Sequence, residues 1–472
     1  MNALQQLAEF AVECRDKGVP DEVSRSMRQR VLDILGISLG AHRLPSSQAV
    51  VTLIAGEGGR PDAGIIGRTG HRVPAAQAAF ANGVLAHSLD YDDTHLPSVL
   101  HPSASVVPAA LAAGEAAGSS GEDLIRAAAA GVEVVVRLGM AGYDSATNTS
   151  LFFERGQHAT SICGTVGAAA AAALLFNLDA EQVGHAMAIS VSFAGGVLEG
   201  NRTGGTVKRM HCGSAAAAGV RAAQLAAAGI TGPPTVLEGR FGFYQVFLSG
   251  QYDERELTGE LGERWAVPGI FFKPYPANHF THAGIDAARA MAAAGLRPQD
   301  VAEAELAVAA APLRTIGEPT ADKRAPLTGY QAQFSGPYTV AAALYGGGGL
   351  GLGIGDFTDE LARDPDRRAL MARISVVSDP VCDEIFPNQF PAILRVRTHD
   401  GRRLEERVLA NRGGPQRPLD DTELHVKLVD AARHELSGPG CDRLAEQVFD
   451  LPRAPDLSGL VAAAGAGPDS DS

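Results

Sequence analysis

The sequence predicts a mostly α protein: a large all-helical domain with an inserted, smaller α+β domain acting as a lid. Three observations predict it. From the start to about residue 265 nearly every segment has helical periodicity, short alternating segments begin beyond "FFKPYPANHF", and helix returns after about residue 408. The expected boundaries are 1–268 plus 409–460 for the helical domain and 269–408 for the lid, with 461–472 a disordered tail.

In "MNALQQLAEFAVECRDKG", Leu4, Leu7, Phe10, Ala11 and Cys14 recur at helical spacing, and no basic run precedes an apolar one. The start therefore reads as an amphipathic helix and not as a secretory signal. "GVPDEVSRSMRQRVLDILGISLG" sets Val23, Met27, Val31 and Leu35 on one face, with Pro20 and Asp21 as start signals. Alanine-rich segments such as "SAAAAGVRAAQLAAAGI" continue the pattern, and their small side chains suit closely packed helices. The most apolar of them, "VGAAAAAALLF", falls short of the ~18 residues of a membrane span. Further on, "AELAVAA", "ISVVSD", "AILRVRT" and "RRLEERV" read as strands, with Asp400-Gly401 as a two-residue hairpin turn between the last two. "HAGIDAARAMAAAG" and "LDDTELHVKLVDAARHEL" have helical patterns.

A length of 472 residues accommodates one large domain and a second or inserted one. The net charge of -14 argues against nucleic acid and anionic membrane surfaces as partners. An acidic protein that handles an acidic substrate must gather its cations in one place. Cys14, Cys163, Cys212, Cys382 and Cys441 are scattered without CxxC spacing. That supports neither a disulfide framework nor a zinc ribbon and fits a reducing, cytoplasmic compartment.

The densest group of ligand-type residues is "HSLDYDDTH", residues 87–95. Three readings compete for it: a metal site, a polar helix end with solvated charges, and an acid/base site without metal. If the preceding helix continues, Asp90 and Thr94 share one face, Asp93 points elsewhere and Pro97 ends the helix. Neither HExxH nor an EF-hand loop is present, so the spacing favours the site without metal.

Three further segments repeat one design. His101 precedes a helix start carrying Ser103 and Ser105, and His158 precedes one carrying Thr160 and Ser161. Lys208, Arg209 and His211 precede one carrying Gly213 and Ser214. A helix N-terminus favours a carboxylate, so three such starts converging would bind a polyanionic small molecule. Taken singly, Ser, Thr and Gly are ordinary caps. "KPYPANHFTH" adds Lys273, His279 and His282, and "YQAQFSGPYTV" adds Ser335 and Tyr338, in the region where a lid would close a pocket. The GxGxxG at Gly346–Gly351 lacks the flanking strand and long helix of a dinucleotide site and reads as a flexible loop. GxSxG and Walker A patterns are missing, so serine nucleophiles and nucleotide hydrolysis have no positive support.

These segments, in this order, resemble the MmgE/PrpD family, which contains 2-methylcitrate dehydratases, cis-aconitate decarboxylases and an iminodisuccinate epimerase. The resemblance is carried by "VLDILGISLGA", "AAFANGVLAHSLDYDDTH", "HPSASVVPAALA", "GQHATSICGTVGAAAAAA", "KRMHCGSAAAAGVRAAQLAAAGITGP", "KPYPANHFTHAGIDAA" and "FSGPYTVAAAL", within a span from near residue 7 to about 435. It implies a helical domain with an inserted lid, a homodimer, no metal and no organic cofactor. By motif it implies an active site of Asp90, Thr94, His101, His158, Lys208, His282 and Tyr338. Among these, His101, His158, Lys208, Asp90 and Tyr338 are expected to carry the chemistry and Thr94 and His282 to bind substrate; His211 is a further expected substrate-binding residue. The chain departs from its relatives at His95, where they look like Trp, and by one extra residue between Thr94 and His101 relative to the decarboxylases. The expected activity is a cofactor-independent lyase acting on a small di- or tricarboxylate, foremost a 2-methylcitrate-dehydratase-like hydro-lyase. A cis-aconitate-type decarboxylase or an epimerase of an iminodisuccinate-like acid is the alternative. A non-catalytic helical scaffold or small-acid binder is the reading from a different class.

Overall fold

Helices in the first part of the chain begin where the sequence places start signals. α1 (Ala3–Lys17) opens at Asn2, whose side chain accepts from Gln5 N in a capping box, and it buries Leu4, Leu7, Phe10, Ala11 and Cys14. α2 (Asp21–Ala41) follows Pro20 and buries Val23, Met27, Val31 and Leu35. Next come α3 (Pro45–Glu57), a two-stranded ribbon of β1 (Ala63–Ile65) and β2 (Arg68–Val73), α4 (Ala75–His87), α5 (Ser103–Ala117) and α6 (Gly121–Ala141). α7 (Ala159–Leu175), α8 (Ala180–Val191) and α9 (Met210–Ala227) follow.

The computed structural model describes residues 1–200 and 205–465 and separates into two compact units. The first is Met1–Ile270 with Ala432–Ser472; the second is Phe271–Ala431. Helix dominates, as expected. In the first unit α7 is buried along its whole length and packs against α5, α6, α8 and α9, while α4 packs against α5 and α9. Glycine makes the closest crossings possible. A Cβ on Gly167 would lie 2.4 Å from the Gly131 carbonyl oxygen, and one on Gly213 would lie 2.4 Å from that of Phe80, so α6–α7 and α4–α9 touch backbone to backbone.

Helix Gly438–Phe449 packs on α2, and the chain then forms helix Ser458–Gly465. Of the expected disordered tail, 461–465 are helical, and 466–472 lie outside the described residues. All five cysteines are free and buried. Among the described residues no helix is long and apolar enough to cross a membrane.

The second unit holds α10 (His282–Ala293), α11 (Gly336–Tyr345) and a four-stranded sheet of β3 (Val301–Val308), β4 (Ile374–Ser378), β5 (Ala392–Thr398) and β6 (Arg403–Val408). The strand order is β4-β3-β5-β6, with β3–β4 parallel and the other pairs antiparallel. All four strands were legible from alternation. The hairpin differs by one residue: Thr398 N donates to Arg402 O at 3.0 Å and Gly401 N to Thr398 O at 3.0 Å, leaving three loop residues with Gly401 at φ +88. The Gly346–Gly351 loop is held in place and not free. The Asp356 carboxylate accepts from Gly348 N at 2.9 Å and Gly353 N at 2.8 Å.

Candidate active site

α4 stops at His87, and the next residues form a turn in which Asp90 takes a left-handed φ of 52°. Asp90 and Thr94 therefore do not share a helical face, and Pro97 ends no helix. Aspartate tolerates that conformation better than most residues. The turn sends three buried carboxylates to three partners. Asp90 Oδ1 receives Lys208 Nζ at 3.2 Å. Asp92 Oδ2 lies 2.8 Å from His87 Nδ1 and 3.9 Å from His101 Nδ1. Asp93 pairs with Arg30 at 2.8 Å and accepts from Ser103 Oγ at 2.5 Å and Ser103 N at 3.3 Å.

A closed loop then returns the chain to His101. His95 N donates to Leu100 O at 2.8 Å, Leu100 N to His95 O at 3.3 Å, and His95 Nδ1 meets Ser98 Oγ at 2.6 Å. Val99 sits at φ 54, a conformation a β-branched residue avoids unless its surroundings hold it. Burial, with the Arg30 charge adding, pushes the His95 imidazole down to about 4. His95 is thus a neutral strut of the loop. On the far side, His101 Nδ1 donates to the Asp93 carbonyl at 2.7 Å, with Thr94 Oγ1 at 3.4 Å, and His101 N donates to Thr160 Oγ1 at 3.2 Å. Fixing the proton on Nδ1 leaves Nε2 as the reactive nitrogen.

The three predicted helix starts come together, and Ser103, Thr160 and Ser161 are already engaged there, whereas Ser105 Oγ is buried without a partner among the described residues and Ser214 is exposed. The carboxylate at the start of α5 is the protein's own Asp93. At α7, His158 is the cap, and its carbonyl accepts from Ser161 N at 3.0 Å and Ile162 N at 3.1 Å. The Ser161 hydroxyl donates to His211 O at 3.1 Å. α9 starts at Met210, so His211 lies inside its first turn and Lys208 in the preceding 3₁₀ turn, Val207–Arg209. Ser103 thus holds Asp93, and Thr160 and Ser161 hold the backbone of His101 and His211.

Four imidazoles result, each in ring contact with the next. Ring centroids are 5.3 Å apart for His87–His101, 5.5 Å for His87–His158 and 5.0 Å for His158–His211. Burial pulls His87 down, but the Asp92 carboxylate, with Cys212 adding, outweighs it and raises the group to about 10. His87 is therefore a buried cation at neutral pH. Burial, with the charges of His87 and Lys208, lowers His211 to about 4. The same causes, joined by His211 and His101, hold His158 well below its ordinary value. The site thus joins two cations, His87 and Lys208, to two neutral imidazoles. Its chemistry suits a polycarboxylate whose charge the cations hold while an imidazole moves a proton. Sequence reasoning missed His87. It heads "HSLDYDDTH", but its pairing with Asp92 depends on the turn that breaks the helix.

Tyr338 and His282 belong to the second unit. Tyr338 is buried, its backbone N bonded to Ser335 Oγ at 3.0 Å and its hydroxyl donating to the Asp356 carbonyl. Burial raises that phenol to about 12. His282 Nε2 donates to Ala277 O at 3.1 Å, and its ring meets Tyr275 and His279 with centroids 5.3 and 4.5 Å away. Among the described residues no group of three or more His, Cys, Asp or Glu side chains is arranged to hold a metal ion.

The MmgE/PrpD N-terminal domain family matches residues 5–256 and the C-terminal domain family residues 275–451. A cis-aconitate decarboxylase of Homo sapiens is 30% identical over 406 residues, 83% of this chain and 79% of that protein. One of Mus musculus is 28% identical across 93% of this chain and 89% of its own. One of Aspergillus terreus is 27% identical across 60% and 58%. With both family domains present in order and together spanning most of its length, the chain belongs to the MmgE/PrpD family.

Proposed function

We propose that this protein is a lyase that releases carbon dioxide from a small polycarboxylate of the cis-aconitate type, using only its own side chains. The observation that carries the proposal is the set of a partly buried Lys208 and four buried imidazoles. The relatives of Homo sapiens, Mus musculus and Aspergillus terreus, cis-aconitate decarboxylases by name, favour this reading over the dehydratase that the sequence put first.

Losing carbon dioxide leaves an electron pair on carbon, delocalised toward a neighbouring carboxylate. Lys208 and the His87 cation stabilise that developing charge, and an imidazole N–H then protonates the carbon. In the free protein Asp90 neutralises Lys208 and Asp92 neutralises His87, so neither cation stands uncompensated before substrate arrives. Thr94 keeps the His101 ring in register. Purified protein is expected to release carbon dioxide from cis-aconitate, and Lys208→Ala to abolish most of that release. Water loss from 2-methylcitrate with cis-aconitate untouched would restore the dehydratase reading.

A further inference from the structure

We propose that His158 and His211 form a proton-relay pair, sharing a single hydrogen between their Nδ1 atoms so that one ring offers a bare Nε2 and the other an Nε2–H. The proposal rests on the decarboxylase reading for its chemistry and on geometry for the pair itself. The two Nδ1 atoms are 2.9 Å apart, with the rings tilted by 47°. At that separation two N–H groups repel, as do two lone pairs, so the contact requires one hydrogen between them. A neutral imidazole carries one N–H, which fixes the other end of each ring: the donor is bare at Nε2 and the acceptor is protonated there.

The surroundings keep the pair in that state. His87, His101 and Lys208 all act on His158, and His87 and Lys208 act on His211, each disfavouring a further positive charge. Gly196 covers the shared edge. A Cβ there would lie 3.2 Å from His158 Cβ and 3.5 Å from His211 Nδ1, and the Gly196 carbonyl accepts from His158 N at 3.0 Å. The Ser161 hydroxyl, on His211 O at 3.1 Å, fixes the other partner. The two Nδ1 edges are therefore buried against each other.

The proton step balances as follows. As carbon dioxide leaves, the electron pair on carbon takes the Nε2 proton of the acceptor ring. The shared hydrogen crosses to that ring's Nδ1, keeping it neutral. The donor ring, now bare at Nδ1, takes a proton at Nε2 from solvent hydronium. Carbon has gained one proton and the pair has taken one from solvent, both rings are neutral, and their tautomers are exchanged. Proton exchange with water at the two Nε2 atoms resets the pair between turnovers. His158, in ring contact with the His87 cation, is the ring that gives its proton to carbon; His211 acts through it and is a positioning residue.

Nitrogen-15 NMR of histidine-labelled protein, assigned with His158→Asn and His211→Asn, reads the pair directly. Two neutral rings of opposite tautomer, unchanged from about pH 5.5 to 8, are expected. Both rings protonated at Nε2, or either titrating in that range, overturns the pair. Turnover of cis-aconitate in H2O/D2O mixtures reads the relay. Wild-type kcat is expected to curve with deuterium fraction, as for two protons in flight. His211→Asn is expected to give a straight line, an unchanged KM and kcat lower by about 100-fold; His211→Gln substitutes if that variant does not fold. A straight line for wild type with opposite tautomers overturns the relay. Absence of any turnover overturns the activity, and with it the step at carbon, while the tautomers still decide the pair.

Discussion

At the residue scale, charge placement makes the strongest claims. Lys208→Ala is expected to lower kcat/KM for cis-aconitate by about 100- to 1,000-fold, the loss typical of one preorganised donor to a developing anion; steady-state kinetics checks it, and a loss below tenfold contradicts the role. His95 and His87 should move stability in opposite directions with pH. Held near 4 in the fold, His95 contributes stability that is present above its ordinary 6.5 and lost as pH falls toward 4. Raised to about 10, His87 contributes stability that is full below 6.5 and lost as pH rises through 10. Melting curves should show His95→Gln flattening the acid limb and His87→Gln costing most near pH 6. Asp90, His101, His158, Lys208 and His211 were readable as candidates because each sits beside a local signal. His87 was not, because its partner Asp92 is five residues away across a turn that no periodicity announces.

At the scale of elements, two structural devices hold the imidazoles. Asp93 ties α2, through Arg30, to the start of α5. Asp93→Ala leaves a buried guanidinium without its carboxylate and is expected to cost about 3–5 kcal/mol in urea unfolding. A cost under about 1 kcal/mol would mean that solvent reaches Arg30. Gly213 is the other device: a methyl there meets the Phe80 carbonyl, so Gly213→Ala should cost about 1–3 kcal/mol and also impair turnover by shifting His211. The strands and the long helices were legible because alternation and the 3.6 period are local. The end of α4 was not. Nothing in "HSLDYDDTH" is a helix breaker, and only the pairing of Asp90, Asp92 and Asp93 with distant partners makes a turn there favourable.

For the whole molecule, a chain of net charge -14 gathers three cations, buried Arg30 and His87 and partly buried Lys208, each matched by an aspartate, in one small region of its first unit. The expectation that an acidic protein gathers its cations was readable from composition; that each would arrive with its own aspartate was not. The reaction type was the least legible feature, because dehydration, decarboxylation and epimerisation ask for the same cations and imidazoles and differ only in how the substrate lies among them. The most direct test incubates the protein with cis-aconitate in heavy water and follows the products by NMR. Carbon dioxide and a product carrying one deuterium, at the carbon that lost the carboxylate or its allylic partner, are expected. Deuterium exchange into recovered substrate without carbon dioxide, or addition or loss of water alone, would contradict it.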